Sequence, residues 1–359
     1  MKTTIKFIDV IFVLLVPFAA HPIHAATLPG IPEFIDEMVA RHHFQRAELE
    51  NAFTHAQHLP AIIELISRPA TAKPWPEYRA AFVNPERIKF GLKFWDKYQQ
   101  ALQSAERQYG VPLEIILAVI GVETVYGRDT GTFRTLDALT TLAFDYPRRA
   151  EFFRSELENY LLLAREQQLD LLAIRGSYAG AMGIPQFMPS SYRNHAVDFN
   201  GNHKIDLLNE PTDAIGSVAN YLRSYGWEAT TTNTATAATA ATDAPLARER
   251  SQLKQPVAVL ASLGQTAVGQ AAQNGSPGAT SAPRTIAAWA EAGFVSSESI
   301  TAHQSARLVD FTLAEGKEYW LVFKNFEVIT RYNNSDFYAM SVFQLAQALK
   351  QARQNTRAK

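Results

Sequence analysis

The chain has 359 residues and no cysteine. Disulfides are therefore excluded, and an exported form would depend on core burial, with a bound metal as a further aid. A lipid-modified cysteine behind a leader segment is excluded for the same reason. Charge of either sign is not in excess: 34 Lys and Arg stand against 35 Asp and Glu. That balance lacks the polyelectrolyte signature of a nucleic-acid partner. Long apolar runs are scarce as well. Val10 to Ala20 is too short for a comfortable membrane span. Lys2 and Lys6 precede it and Ile23-His24-Ala25 offers a small-residue cleavage site, so residues 1–25 read as a secretory signal peptide. The mature protein is expected in the periplasm, as a monomer and not as a lipoprotein.

What remains is long enough for two or three domains. Helical periodicity runs from Pro32 to Gly110, through Phe34, Ile35, Met38 and Val39 and again through Ile88, Leu92, Trp95 and Tyr98. Pro74, Trp75 and Pro76 read as a rigid loop between helical segments. A second helical block extends from Pro112 to about Ile174, with Thr135–Phe144 and Ala150–Gln167 as members, and Asp213 to Tyr225 forms a third. Residues 228–283 are dominated by Ala, Thr, Gln and Gly and read as a flexible insertion, with Val257–Leu263 as a short ordered element inside it. Glu318 to Thr330 alternates and predicts a strand pair turning near Lys324-Asn325. Asp336 to Gln351 returns to helical spacing. The expected division is 26–109 helical, 110–227 a core, 228–283 the insertion, 284–331 a β-containing segment and 332–359 a closing helix.

Two segments carry chemistry. Glu123 ends the apolar stretch of PLEIILAVIGVETVYG, Pro112 to Gly127. A carboxylate buried there without a cationic partner has a raised pKa and can hold a proton near neutrality, as a general acid in glycoside cleavage must. SYAGAMGIPQFMPSSY, Ser177 to Tyr192, alternates neutral hydrogen-bonding groups with flat apolar faces. That mixture suits a sugar ring, which has hydroxyls on its rim and C–H groups on its faces. Asp129 and Asp137 follow Glu123, but nothing in their setting marks a second catalytic carboxylate.

A third segment, DFNGNHKID, places Asp198, Asn200 and Asn202 at the first, third and fifth places of an EF-hand-like loop, with Lys204 at the place that donates its carbonyl. The later places fit poorly: Gly201 is fourth rather than sixth, and Asn209 stands where glutamate is usual. The motif by itself reads as an Asx-rich turn. His195 and His203 lie nearby without zinc-type spacing.

The pairing of GVETVYG with SYAGAMGIPQFMPSSY, extended by DFNGN, DAIGSVANYL and VITRYNNSDFYAMSVFQLAQAL, resembles the lytic murein transglycosylase B family. The resemblance implies a mainly α (α+β) fold: a lysozyme-like helical core, an additional N-terminal helical domain and a small β-containing domain. It implies that Glu123 is the single catalytic residue. Ser177 and Gln186 match groups lining glycan subsites, and Phe187 matches a sugar-stacking position. Tyr221, Tyr332, Asn333 and Tyr338 match cleft residues of the later helices, Tyr78 a cleft tyrosine of the helical domain. Arg148 and Arg149 match basic residues that meet the substrate's peptide or carboxylate groups. A structural calcium ion is implied in the Asx loop, with Asp213 as distal carboxylate and Asp206 and Glu210 as competitors. The implied partners are peptidoglycan glycan strands, with cell-wall synthesis or division proteins as further candidates. Ile184-Pro185 before Gln186 departs from what other members carry, which leaves the adjacent subsite's shape open. The implied reaction cleaves the β-1,4 bond after N-acetylmuramic acid and leaves 1,6-anhydromuramoyl ends. A hydrolytic muramidase of the same fold and a non-catalytic peptidoglycan-binding protein stand as alternatives.

Overall fold

The computed structural model describes residues 28–67, 73–229, 256–263 and 282–357. The segment expected to be a signal peptide and most of the Ala/Thr-rich insertion lie outside these residues. In chain order the first helices are α1 (Ile31–His42), α2 (Arg46–His55), α3 (Pro60–Ser67), α4 (Trp75–Phe82), α5 (Pro85–Lys97) and α6 (Gln99–Tyr109). Trp75 and Pro76 open α4 and do not form the loop expected for them. Proline in a first turn removes an N–H that would be unpaired anyway, so the Pro-Trp-Pro signal marks a helix start.

Next comes α7 (Leu113–Thr124), buried on nearly every side from Leu113 to Val122. A helix apolar all round must be central. It is enclosed by α5, α6, α11 (Pro211–Ser224) and the final helix α14 (Asp336–Arg357). Between them in sequence come β1 (Phe133–Arg134), α8 (Thr135–Asp145), α9 (Ala150–Gln167), β2 (Arg175–Gly176) and α10 (Pro189–His195). A short 3-10 turn, Pro147–Arg149, leads into α9.

The β-rich part is a five-stranded antiparallel sheet of order β4-β6-β7-β3-β5. Its strands are β3 (Ala258–Leu263), β4 (Arg284–Thr285), β5 (Phe294–Ser296), β6 (Ser305–Thr312) and β7 (Lys317–Val322), with α12 (Ile286–Glu291) against one face. The short element expected near Val257–Leu263 is the strand β3. Alternation divides the sheet's side chains between two cores. Val259, Ala306 and Leu321 pack with Trp289 and Phe294, whereas Ala258, Val309, Phe311 and Val322 join the main helical core.

The strand pair expected over Glu318–Thr330 is half wrong. Residues Lys317–Val322 are β7, but Lys324–Tyr332 is helix α13, and the partners of β7 are β6 and β3. Phe326 and Ile329, spaced three apart, are both buried, and the Lys324-Asn325 pair starts the helix instead of turning a hairpin. Arg307 of β6 then holds the arrangement together. Its guanidinium donates to Glu327 of α13 at 2.8 Å and to both carboxylate oxygens of Asp336 in α14 at 2.9 and 2.7 Å. The sheet is thereby fastened to the first turn of the helix that carries Tyr338.

Candidate active site

Glu123 occupies the last turn of α7. The helix ends at Thr124, and Val125 and Tyr126 both take left-handed backbone angles, φ 50° and 63°. Such angles cost about 1–3 kcal/mol each in residues with a Cβ and persist only where the surroundings enforce them. Here the enforcement is visible. Tyr126 folds back over Gly121, where an added Cβ would meet its ring carbon Cζ at 2.7 Å. The Thr124 hydroxyl donates to the Ile184 carbonyl at 2.8 Å and accepts the Gly127 N–H at 2.9 Å. One buried hydroxyl thus joins the two motifs read from the sequence.

The carboxylate of Glu123 accepts a hydrogen bond from the Tyr338 hydroxyl at 2.5 Å. Protein crowds it closely, yet the residue is only half-buried and keeps an open edge. Burial pushes its pKa from the ordinary 4.5 up to about 7, while the Tyr338 hydrogen bond and the charge of Arg87 hold it down. Arg87 does not pair with it: the guanidinium donates to the carbonyls of Gly121 and Val122. An acid with a proton affinity near neutrality, free of a contact ion pair, is what the apolar setting of Glu123 predicts.

Phenols form the surroundings. Tyr78, Tyr221, Tyr332 and Tyr338 all feel the Glu123 charge, and burial raises each of their pKa values, that of Tyr78 to about 12. They stay neutral at working pH and act as donors and ring faces. Tyr338 lies parallel to Tyr332, 6.3 Å between centroids and 14° between planes, and Tyr332 meets Tyr221 at 4.8 Å. The Tyr332 hydroxyl donates to the Pro185 carbonyl at 2.5 Å, and that of Tyr221 to the Arg331 carbonyl at 2.7 Å. Phe187 is 2 % exposed beneath Tyr221 and Tyr332, so both rings rest on it. Tyr78 packs against Phe82 and Phe337 at 5.0 and 5.4 Å.

The glycine-rich loop folds as a compact double bridge, Gly176 to Met182 and Met182 to Phe187. The Ser177 hydroxyl accepts the N–H groups of Ala179 and Ala181. Gln186, at φ 51°, donates to the carbonyls of Thr130 at 3.0 Å and Gly183 at 2.9 Å. Gly183, at φ 70°, lets the loop backbone lie against the Leu207 carbonyl, which a Cβ would strike. Asn333 is exposed just past α13. Arg148 and Arg149 are exposed on the turn before α9, where Arg149 covers the Phe152 ring at 4.3 Å. Among the described residues, no hydrogen bond, ion pair or ring contact joins that pair to the Glu123 cluster. Asp137 is engaged elsewhere, with Arg134 and the Gln57 N–H.

In the Asx loop, Asp198 accepts the N–H groups of Gly201, Asn202 and His203, and Asn202 that of Lys204. Asp213 is fully buried and accepts the N–H groups of Phe199, Asn200 and Asp206. Its pKa is raised by burial, with nearby Asp198 adding to the rise, and neither carboxylate has a Lys or Arg partner among the described residues. No group of three His, Asp or Glu side chains among the described residues has metal-ligand spacing. The oxygen donors are two carboxylates, two amides and the Lys204 carbonyl, a set suited to a hard cation and unsuited to zinc. A concavity of about 1110 Å³ opens beside this loop, lined by Gln99, Ser104, Tyr109 and Asn200, away from Glu123.

A mainly helical core, with one acid at the end of its central helix under a canopy of neutral phenols, is the architecture of a glycan-cleaving enzyme of lysozyme-like fold. The profile of the family described as "Transglycosylase SLT domain" matches residues 28–347. The chain is 41% identical over 338 residues to membrane-bound lytic murein transglycosylase B of Escherichia coli K12, covering 91% of this chain and 84% of that protein. The structure of the E. coli lytic transglycosylase SLT35 in complex with calcium superimposes with a TM-score of 0.77 at 41% identity, over 91% of this chain and 94% of the other. SltB3 from Pseudomonas aeruginosa in complex with NAG-anhNAM-pentapeptide gives 0.72 at 26% identity, over 89% and 78%. The chain belongs to the transglycosylase SLT family, in its lytic murein transglycosylase B branch, and it is a peptidoglycan-cleaving lytic transglycosylase. No helix among the described residues is long and apolar enough to cross a membrane.

Two contributors escaped the sequence reading. Arg87 and Thr124 act through backbone carbonyls, and nothing in local spacing announces a contact 34 or 60 residues away. Tyr338 was expected in the cleft, but not as the direct donor to Glu123.

Proposed function

We propose that the enzyme cleaves the β-1,4 bond between N-acetylmuramic acid and N-acetylglucosamine in peptidoglycan with a single carboxylic acid, Glu123, and leaves 1,6-anhydromuramoyl ends. The observation that carries this reading is the half-buried carboxyl whose pKa lies near 7 and whose direct side-chain partner, among the described residues, is the Tyr338 hydroxyl. Glycosidases usually employ two carboxyl groups. Here the rings around Glu123 are phenols, so the second function falls to the substrate. Glu123 gives its proton to the leaving glycosidic oxygen while the muramoyl N-acetyl oxygen supports the departing bond at C1. The Glu123 carboxylate then takes the proton of the C6 hydroxyl as that oxygen attacks C1. The acid is restored and no water is consumed, so proton and bonds balance. A pKa near working pH serves both half-steps. The Tyr338 hydroxyl steadies the carboxylate between them.

Tyr332, Tyr221, Tyr78, Asn333, Ser177 and Gln186 bind the glycan on either side, with Phe187 supporting the two later tyrosines from below. Arg148 and Arg149 meet the peptide or carboxylate groups. The similar SltB3 from Pseudomonas aeruginosa in complex with NAG-anhNAM-pentapeptide supports this direction of chemistry. The domain division 26–109, 110–227, 228–283, 284–331 and 332–359 belongs to the same proposal, as does export to the periplasm by residues 1–25. Mass analysis of the muropeptides released from purified sacculi tests the reaction: ends lighter by one water than reducing ends support it, and hydrated ends make the enzyme a muramidase.

Calcium is the proposed structural ion. Asp198, Asn200, Asn202, the Lys204 carbonyl and Asp213 would hold it, supported by two carboxylates that have no Lys or Arg partner among the described residues and by the calcium complex of the similar SLT35. When bound, it would neutralise the Asp198–Asp213 repulsion and stiffen the loop. It has no part in the bond-breaking step.

A further inference from the structure

Arg87 stands three residues into the helix Pro85–Lys97, where the Asn84 side chain accepts its N–H at 2.9 Å. A cation in a first turn opposes the dipole of its own helix, so its place there needs another reason. Its guanidinium leaves that helix altogether. It donates to the carbonyl of Gly121, to Val122 at 3.3 Å and to Ala81 at 3.3 Å. These carbonyls lie in the last turns of α7 and α4, where the helix dipole favours a cation; that of Gly121 also accepts the Val125 N–H at 3.2 Å, and that of Ala81 the Asn84 amide at 3.2 Å. Helix α7 carries Glu123 and helix α4 carries Tyr78. A single guanidinium therefore ties together the ends of the two helices that present the acid and a neighbouring phenol.

Arg87 has no carboxylate in contact among the described residues; the Phe82 ring lies 5.3 Å from it, and its Nε is buried without a hydrogen-bond partner. We propose that Arg87 is a positioning residue for transglycosylation: it fixes the Glu123-bearing end of α7 against α4 and supplies, at a distance, the counter-charge for the carboxylate that remains after proton donation. This rests on the reading of Glu123 as acid and then base. A contact ion pair would hold Glu123 ionised and abolish the first half-step. With no positive charge nearby, the ionised state of the second half-step would be poorly supported. A guanidinium bound to the preceding carbonyls meets both needs.

Every group facing Glu123 bears on the test. Tyr78 from α4, Tyr221 from α11, Tyr332 from α13 and Tyr338 from α14 are phenols that burial keeps neutral, which leaves Arg87, among the described residues, as the charge that acts on it. The general acid must be protonated, so the alkaline limb of kcat/KM follows Glu123. In Arg87→Met that limb should move up by about half to one pH unit, since the positive charge that favours ionisation is gone. At its optimum kcat should fall about tenfold. Arg87→Lys should return the limb to its wild-type place without restoring kcat, because a single ammonium nitrogen does not span the α7 and α4 carbonyls that the two terminal nitrogens of the guanidinium reach. Should the Met chain fail to fold, Arg87→Gln keeps an amide donor without charge and gives the same comparison. A limb that stays put in the neutral variants, with kcat and melting temperature both lowered, would make Arg87 a packing residue and overturn the proposal. Product masses separate this from the parent reading. Hydrated ends sink transglycosylation whatever the limb does, and anhydro ends with an unmoved limb sink the Arg87 proposal alone.

Discussion

Replacing Glu123 by Gln should make the protein more stable at neutral pH while abolishing its activity. The folded chain raises this carboxyl from 4.5 to about 7. The folded state therefore holds the proton more tightly than the unfolded state. Stability from that proton is fully present below about pH 4.5 and is lost as pH rises through 7, above which the folded protein bears the whole desolvation cost. A shift of that size corresponds to about 3 kcal/mol, and water at the open edge of the carboxylate reduces it to about 2–3. Glutamine keeps the shape and an acceptor for the Tyr338 hydroxyl but does not ionise. Urea denaturation across pH 4.5–8 should then show wild type losing stability relative to Glu123→Gln as pH rises, with the gap closing at the acid end. In thermal melts each kcal/mol is about 2 °C for a chain of this length, so the gap at pH 8 should reach several degrees. Parallel stability curves for the two proteins across this range would refute the reasoning, since they would mean the carboxyl ionises in the fold as it does in water.

Tyr338→Phe removes the hydroxyl bound to Glu123; a hydrogen bond to a charged group contributes about 1.5–3 kcal/mol, so the alkaline limb of kcat/KM should move up by about one to two units. A fall in kcat should accompany that shift. Thr124→Val keeps the shape but leaves the Ile184 carbonyl and the Gly127 N–H unpaired, and should cost about 2–4 kcal/mol in denaturant titration. Calcium added to metal-free protein should raise the melting temperature, and Asp213→Asn should remove that response, while chelation leaves the rate of muropeptide release largely intact.

The centre of the molecule was legible because its signals are local. An unbroken apolar run can only be a buried helix or strand, and the twelve residues of α7 settle it as a helix that carries Glu123 on its last turn. Gly183 and Gln186, both at positive φ, mark where the glycine-rich loop turns back on itself. The segment after Val322 misled because aromatic and β-branched residues suit strands on average, yet Phe326, Val328 and Ile329 pack as a helical face once Arg307 holds Glu327. Phe187 was expected to face sugar and is instead the floor beneath two tyrosines, a distinction that composition does not encode. Arg87 lay outside reach because backbone carbonyls carry no side-chain signature.

The central claim is that one carboxyl in this fold holds its proton close to neutrality. With glutamate carbons labelled, the side-chain carboxyl of Glu123, assigned by its disappearance in Glu123→Gln, can be titrated directly by carbon NMR. The account predicts a midpoint of about 7. A midpoint near 4.5, the value of a glutamate in water, would contradict it.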